Sequence, residues 1–344
     1  MQPAPKSATL VPFIDTLKVG DGMGHLNLTL VPLRGEGPGH LDYILAADAL
    51  AAGVLTITEV SEGGSVPHLA VTSEAAKSVL FLDGEELIGA KQNRILNTSV
   101  LVAPKSRTEI PVSCVEQGRW RYASPGFQSG GHSPSNLRAR KCRDVGRNLR
   151  ATGQAASDQG AVWDSVAAMH ANLGTHSPTG AMHDMIAQRR ESIDGYVSAL
   201  PYPAGARGVF VTISDGFVAL DLFDRPETLE RVWPRLLMGY AIDALACCNS
   251  GAKPLMVRGP KVILQRLGQI TCEPQPSVGL GEDWRFEAED LVGQALVVKG
   301  VCVHLSVFPN EDRDGRNTGH AEQQIVPPSR RRRNRRSPTD DIER

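Results

Sequence analysis

Between residues 26 and 120 the apolar positions come in short runs separated by turn residues. Residues 26–33 alternate apolar with polar, 54–60 are β-branched, and apolar runs follow at 79–82, 95–102 and 109–115. A period of two with β-branched residues predicts strands that each bury one face. One helix interrupts them over 41–53, with Ile44, Leu45, Ala49 and Leu50 on one side and Gly53 as its C-cap.

After Trp120 the pattern changes. The stretch RYASPGFQSGGHSPSN is rich in Gly, Ser and Pro and reads as loop or linker. A helix follows over 136–150, with Leu137, Val145 and Leu149 inward and six basic residues on a wide exposed face. Asp158 is placed to cap a helix carrying Val162, Trp163, Val166 and Met169, and 182–200 reads as a third. Residues 207–223 form two apolar runs about Asp215-Gly216, a strong hairpin signal, and Asp83-Gly84 suggests a similar one. An amphipathic helix then starts near Pro226 and carries Pro234 as a kink, and 295–308 reads as a last strand.

These elements predict an α+β fold. It has a β-rich N-terminal part with antiparallel hairpins, a helical insert, then a hairpin plus amphipathic helix and a final strand. Residues 1–9 are expected to be a disordered N-terminus, 10–308 a single α+β domain whose subdivision, if any, falls near 123–134, and 309–344 a disordered arginine-rich tail.

Composition fits this picture: of 344 residues, 41% are hydrophobic and 22% charged, and 34 Gly and 23 Pro suit a turn-rich body. The net charge of −1 hides an asymmetry. Residues 329–344 hold seven arginines against three carboxylates, a net of +4, which leaves about −5 for the rest. The body is therefore too acidic to bind nucleic acid over its whole surface, whereas Arg330, Arg331, Arg332, Arg333, Arg335 and Arg336 could attract a polyanion. Six cysteines form no C-x-x-C pair, no basic leader precedes an apolar segment, and no run of about 20 apolar residues occurs. The expectation is a soluble, cytoplasmic protein with no membrane partner.

The stretch DGEELIGAKQNR, residues 83–94, carries more chemistry than a turn requires. Glu85, Glu86, Gln92, Asn93 and Arg94 are followed by Asn97 on the next run, and by Glu116, Arg119 and Trp120 after the one beyond. Neighbouring antiparallel strands would bring these to one concave edge. There the amides can read a base or ribose edge, Arg94 and Arg119 can fork to an anion, and Trp120 can stack. Glu86 and Glu116 are the candidate acid and base. No cofactor is required, although paired carboxylates leave room for a divalent metal. The same groups could equally brace the hairpins as a hydrogen-bonded network. His170, His176 and His183 lack the i, i+4 spacing of a helical metal site.

Three blocks, LDGEELIGAKQNRILNTSVLVAPKSRTEIPVSCVEQGRW, SDQGAVWDSV and DLFDRPETLERVWPRLLMGYAIDAL, resemble the ARG and Rhodanese-Phosphatase-superfamily-associated protein domain, a bacterial family. The resemblance covers most of 10–308 and leaves out the arginine tail. It implies a ligand of the ADP-ribose or nucleotide class and supplies no catalytic residues. The expected function is to bind or process a nucleotide or ADP-ribose, as a hydrolase of phosphoester or glycosidic bonds if it is an enzyme. The competing expectation is an interaction or scaffold domain without catalysis, with a polyanion-binding basic tail.

Overall fold

The computed structural model describes residues 7–310, except 62 and 251–257. The fold is α+β and rich in antiparallel strands, which among the described residues form three sheets.

The largest sheet runs in the order β1 (Ala8–Thr9), β16 (Thr271–Pro276), β17 (Glu282–Glu287), β18 (Leu291–Val298), β19 (Val301–Pro309), β15 (Gly216–Phe223), β14 (Gly208–Ile213), β4 (Leu28–Arg34) and β2 (Lys18–Val19), with β3 (Met23–His25) also on β4. A six-stranded sheet has the order β13 (Phe127–His132), β9 (Glu85–Gly89), β10 (Arg94–Leu96), β12 (Ser106–Cys114), β7 (His68–Ser73) and β6 (Leu55–Glu59). The third sheet is β11 (Val100–Val102), β8 (Ser78–Phe81) and β5 (Tyr43–Leu45), where β5 lies parallel to β8.

Alternation along β14 sends Val209, Val211 and Ile213 to one face of the large sheet and Phe210 to the other. The first face is covered by α3 (Ser135–Thr152), α4 (Gln159–Leu173), α5 (Met182–Gln188), α6 (Arg190–Ala199) and α7 (Pro226–Ser250), through residues such as Leu137, Val166, Ile193 and Leu236. The second is covered by α1 (Val11–Ile14) and α8 (Pro260–Leu267), through Phe13, Ile263 and Leu267. A separate core unites the two smaller sheets with α2 (Ala46–Ala51). Each large apolar side chain buried in these layers contributes roughly 1.5–3 kcal/mol.

Several elements differ from what the pattern predicts, each for a local reason. Residues 43–45 are a strand because they pair with β8, so the helix expected over 41–53 shrinks to α2. Run 95–102 is two strands in two sheets. Between them Thr98 donates to Asp283 (3.1 Å), and the Ser99 hydroxyl lies 2.7 Å from His304 Nδ1 and accepts from Asp83 N, turning the chain across layers. Asp83-Gly84 likewise joins strands of different sheets and makes no hairpin. The expected linker contains β13, whose Gly130 passes so close to β9 that a Cβ there would lie 2.7 Å from Glu86 Oε2. Residues 182–200 are two helices that meet at Arg189.

The last predicted strand is a hairpin, turning at Lys299 and Gly300 with φ of 52° and 78°. The β14–β15 hairpin turns at Ser214 and Asp215, both also at positive φ, one residue before the Asp-Gly pair. Two central residues at positive φ are what a two-residue type I′ turn demands. At the ends, Ala8 and Thr9 pair with Cys272 and Thr271, and Asn310 N bonds Asp290 O, so order extends beyond the expected limits of 10 and 308. The arginine tail lies outside the described residues.

The wide basic face expected on α3 is not wholly exposed. Arg138 and Lys141 are completely buried. Arg138 forks onto Asp221 at 2.9 and 2.6 Å and reaches Asp83 at 3.2 Å, while Lys141 bonds Asp83 and the carbonyl of Leu96. Tyr240 and His304 also bond Asp221. These charges tie α3 and α7 to the large sheet and to the turn that starts β9. They thereby fix where the candidate residues of β9 and β10 sit.

Candidate functional site

In an antiparallel ladder, directly opposed residues share a face. Arg94 opposes Leu87 and Cys114, whereas Ile95 opposes Glu86. Arg94 and Glu86 therefore lie on opposite faces of the six-stranded sheet. The nine candidates do not form one pocket but divide into separate groups.

Glu116 and Arg119 form the first. The Arg119 fork meets both carboxylate oxygens, Nε to Oε1 at 2.8 Å and Nη2 to Oε2 at 2.7 Å. Asn93 N–H adds a bond to Oε2 at 3.1 Å and Thr179 Oγ one to Oε1 at 3.0 Å. Burial pushes the Glu116 carboxyl up, but the bonds from Arg119, Asn93 N and Thr179 outweigh it and hold the group below the ordinary range. Arg119 is spent as well, donating to Ala90 O and Asn93 Oδ1. An ionised carboxylate with this many donors is a brace for the turn and has no proton to exchange near neutrality.

Glu86 is completely buried. Its Oε2 accepts from Gly131 N at 3.2 Å and lies 3.1 Å from Nδ1 of His183 on α5, while Oε1 has no partner. His183 is 39% exposed, and the bond to Glu86, working against burial, raises its pKa above the ordinary value. Glu86 thus acts on solvent only through the ring of His183. Glu85 and Asn97 are structural: Glu85 accepts from Arg235 (3.0 Å) and Leu82 N (3.2 Å), and Asn97 bonds Ala155 O and Ser113 Oγ.

Arg94 is different. Its Nη1 donates to Gln92 Oε1 at 2.9 Å, and Gln92 Nε2 in turn donates to Glu116 O at 2.9 Å. The side chain has no exposed area, yet Nε and Nη2 have no hydrogen-bond partner among the described residues. These two nitrogens form the side-on edge of the guanidinium, which matches two oxygens of a carboxylate or phosphate. Burial lowers the pKa of Arg94, and its neighbours Cys114 and, less strongly, Glu59 oppose that. Glu59, also buried, accepts Lys91 N–H at 3.3 Å through Oε1, while Oε2 has no hydrogen-bond partner among the described residues.

Trp120 lies above this pair, its ring centroid 5.8 Å from the Arg94 guanidinium and 5.3 Å from Lys91 Nζ. Tyr122 lies 5.2 Å from the same ammonium. Trp120 and Tyr122 are 47% and 52% exposed, an unusual waste of aromatic surface. The sequence alone does not point to Glu59, and it sets His183 aside for its spacing, because both lie in segments far from 83–94. The aromatic pair Trp120 and Tyr122 at spacing two was the one signal in the sequence that could have added Tyr122.

Open clefts among the described residues lie elsewhere, one of about 440 Å³ against Leu50, Leu55 and Phe127, one of about 510 Å³ beneath the Gly35–Gly39 loop and one of about 560 Å³ between α1 and α8. Among the described residues no three His, Cys, Asp or Glu side chains are grouped to hold a metal ion. No described helix is long and apolar enough to cross a membrane.

The family model of the ARG and Rhodanese-Phosphatase-superfamily-associated Protein domain matches residues 16–308. No curated protein and no solved structure matches the chain.

Proposed function

The chain belongs to that family, and from this premise we propose that it is a cytoplasmic protein that binds a nucleotide or ADP-ribose through the free edge of Arg94, with Trp120 and Tyr122 as the stacking wall. One observation carries the reading: a completely buried guanidinium whose bidentate edge is unpartnered. Leaving such donors empty in a low-dielectric interior costs about 1–3 kcal/mol or more, so the edge calls for an acceptor. A phosphate or pyrophosphate supplies two oxygens at the right spacing. Exposed aromatic rings beside it supply the face on which a base stacks.

Gln92, Asn93, Glu116 and Arg119 then act as the frame that holds Arg94. Any hydrolysis of a phosphoester or glycosidic bond would fall to His183 backed by Glu86, because Glu116 is braced. The saturated Glu116–Arg119 bond network favours the second reading, an interaction domain without catalysis. The arginines at 330–333, 335 and 336 add attraction for polyanions in either case.

Thermal unfolding of the full chain with ADP-ribose, ADP, AMP and pyrophosphate tests this. A ligand at about 100 times its Kd adds roughly 2.7 kcal/mol, a shift of at least a few degrees. Arg94→Met should abolish the shift. No shift with any of the four would leave the interaction domain as the better account.

A further inference from the structure

We infer that Glu59 completes the Arg94 site and restricts it to ligands that carry a hydrogen-bond donor beside the anion, either a ribose hydroxyl pair or a base amino group. This rests on the reading of Arg94 as the anion holder and extends it to the ligand's second recognition element.

Glu59 ends β6 and comes from a segment far in sequence from Arg94. Its Oε1 is fixed by the backbone N–H of Lys91, three residues before Arg94, which leaves Oε2 buried and unpartnered. The two side chains feel each other's charge, yet among the described residues Arg94 makes no ion pair with a carboxylate, and its Nε and Nη2 and Glu59 Oε2 are all buried without a hydrogen-bond partner. A carboxylate can only accept. The buried pair therefore offers a two-pronged donor and a single acceptor, a complement to a molecule with two acceptor oxygens and a nearby donor.

A bare anion satisfies Arg94 but meets the negative charge of Glu59, which disfavours it in a poorly solvated site. A ligand with a donor removes that penalty and gains a charge-assisted bond. A site built around a buried polar group rejects an analogue that leaves the group unpaired far more strongly than it rejects a change of size. Ribose hydroxyls and exocyclic amino groups are the two donors that a nucleotide carries.

Calorimetric titration of the full chain with AMP, 2′,3′-dideoxy-AMP, IMP and pyrophosphate separates the sources. The expected result is that AMP binds at least tenfold more tightly than one analogue. That analogue is dideoxy-AMP if the hydroxyls meet Glu59, and IMP if the amino group does. Glu59→Gln keeps the acceptor for Lys91 N–H, and it should shrink that preference at least fivefold while tightening pyrophosphate at least threefold. Glu59→Asp, which shortens the reach and keeps the charge, should lose the preference without gaining pyrophosphate affinity. Equal binding of all four ligands that still depends on Arg94 would overturn the role of Glu59 and leave the Arg94 reading intact. Binding of none would overturn both.

Discussion

Glu86 and Arg94 lie on adjacent, directly hydrogen-bonded strands and project from opposite faces of the same sheet, because Arg94 is registered against Leu87 and Glu86 against Ile95. Two groups that look like one catalytic cluster in the sequence therefore serve two environments. Glu86 works on His183, and Arg94 faces Glu59 and Trp120.

The separation makes the two testable one at a time. Glu86→Gln should lower the pKa of His183 toward the ordinary value of about 6.5, since the bond that raises it loses its charge. A two-dimensional NMR titration of the imidazole reads this directly. Nucleotide-induced thermal shifts should stay unchanged in the same variant. A loss of both would mean that the two faces are coupled.

Arg94→Met should leave the ligand-free protein about as stable as the wild type, or more stable by about 1 kcal/mol, because it replaces an unpaired buried charge with an apolar chain of similar volume. Denaturant unfolding measures it. A loss of 3 kcal/mol or more would show that Arg94 is a structural member whose partners are complete in the free protein.

Glu116 and Arg119 should behave in the opposite way. Each single change to alanine should lower stability by about 1–3 kcal/mol, since it strands the charge of its partner. A double-mutant cycle should return a coupling of about 1–3 kcal/mol. Near-zero coupling in 0.15 M salt would free Glu116 for chemistry after all.

Much of the fold was legible because periodicity marks any element whose one face is buried. The run 207–223 is two apolar runs about a turn signal, and its hairpin turns one residue before the expected Asp215-Gly216. The glycines of 127–132 signal turns and predict a loop. In fact they admit a strand against Glu86, and no pattern distinguishes close approach from flexibility. The helical pattern places Arg138 and Lys141 on a solvated face, because a helix alone does not reveal that Asp83 and Asp221, 55 and 83 residues away from Arg138, meet them. The candidate stretch stands out in the sequence for its density of polar groups. Which of them would be satisfied depended on strand register, and register is set by tertiary packing.

The buried charges around Arg138 predict a large effect. Asp221→Ala leaves Arg138 without its fork and should destabilise by about 3–5 kcal/mol. Burial works to raise the Asp221 carboxyl, but Arg138 and the bond from His304 hold it well below the ordinary range. Its contribution is thus present above the unfolded value of about 3.9 and fades as pH falls below it. Unfolding curves for Asp221→Ala and wild type should converge only under strongly acid conditions.

Two other buried groups should produce opposing slopes at milder pH. Burial raises the Asp243 carboxyl to about 7, although the bond from the Ser135 N–H pulls it down. From about pH 3.9 to about 7 the native protein therefore holds a proton that the unfolded chain has lost, so this group makes stability fall as pH rises through that window. His132 does the reverse. Burial, reinforced by the positive charge of Arg138, lowers its pKa to about 3. From about pH 6.5 down to about 3 the unfolded chain binds a proton that the native one refuses, so stability rises with pH over that range. The two slopes, each up to about 1.4 kcal/mol per pH unit, cancel where the windows overlap. Asp243→Asn, which keeps an acceptor for Ser135 N–H, should therefore gain stability relative to wild type as pH rises from 4 to 7. His132→Asn should lose it relative to wild type between pH 4 and 6.5. Urea unfolding at half-unit steps of pH resolves both, and curves parallel to wild type for either variant would show that the group titrates alike in the folded and unfolded chains.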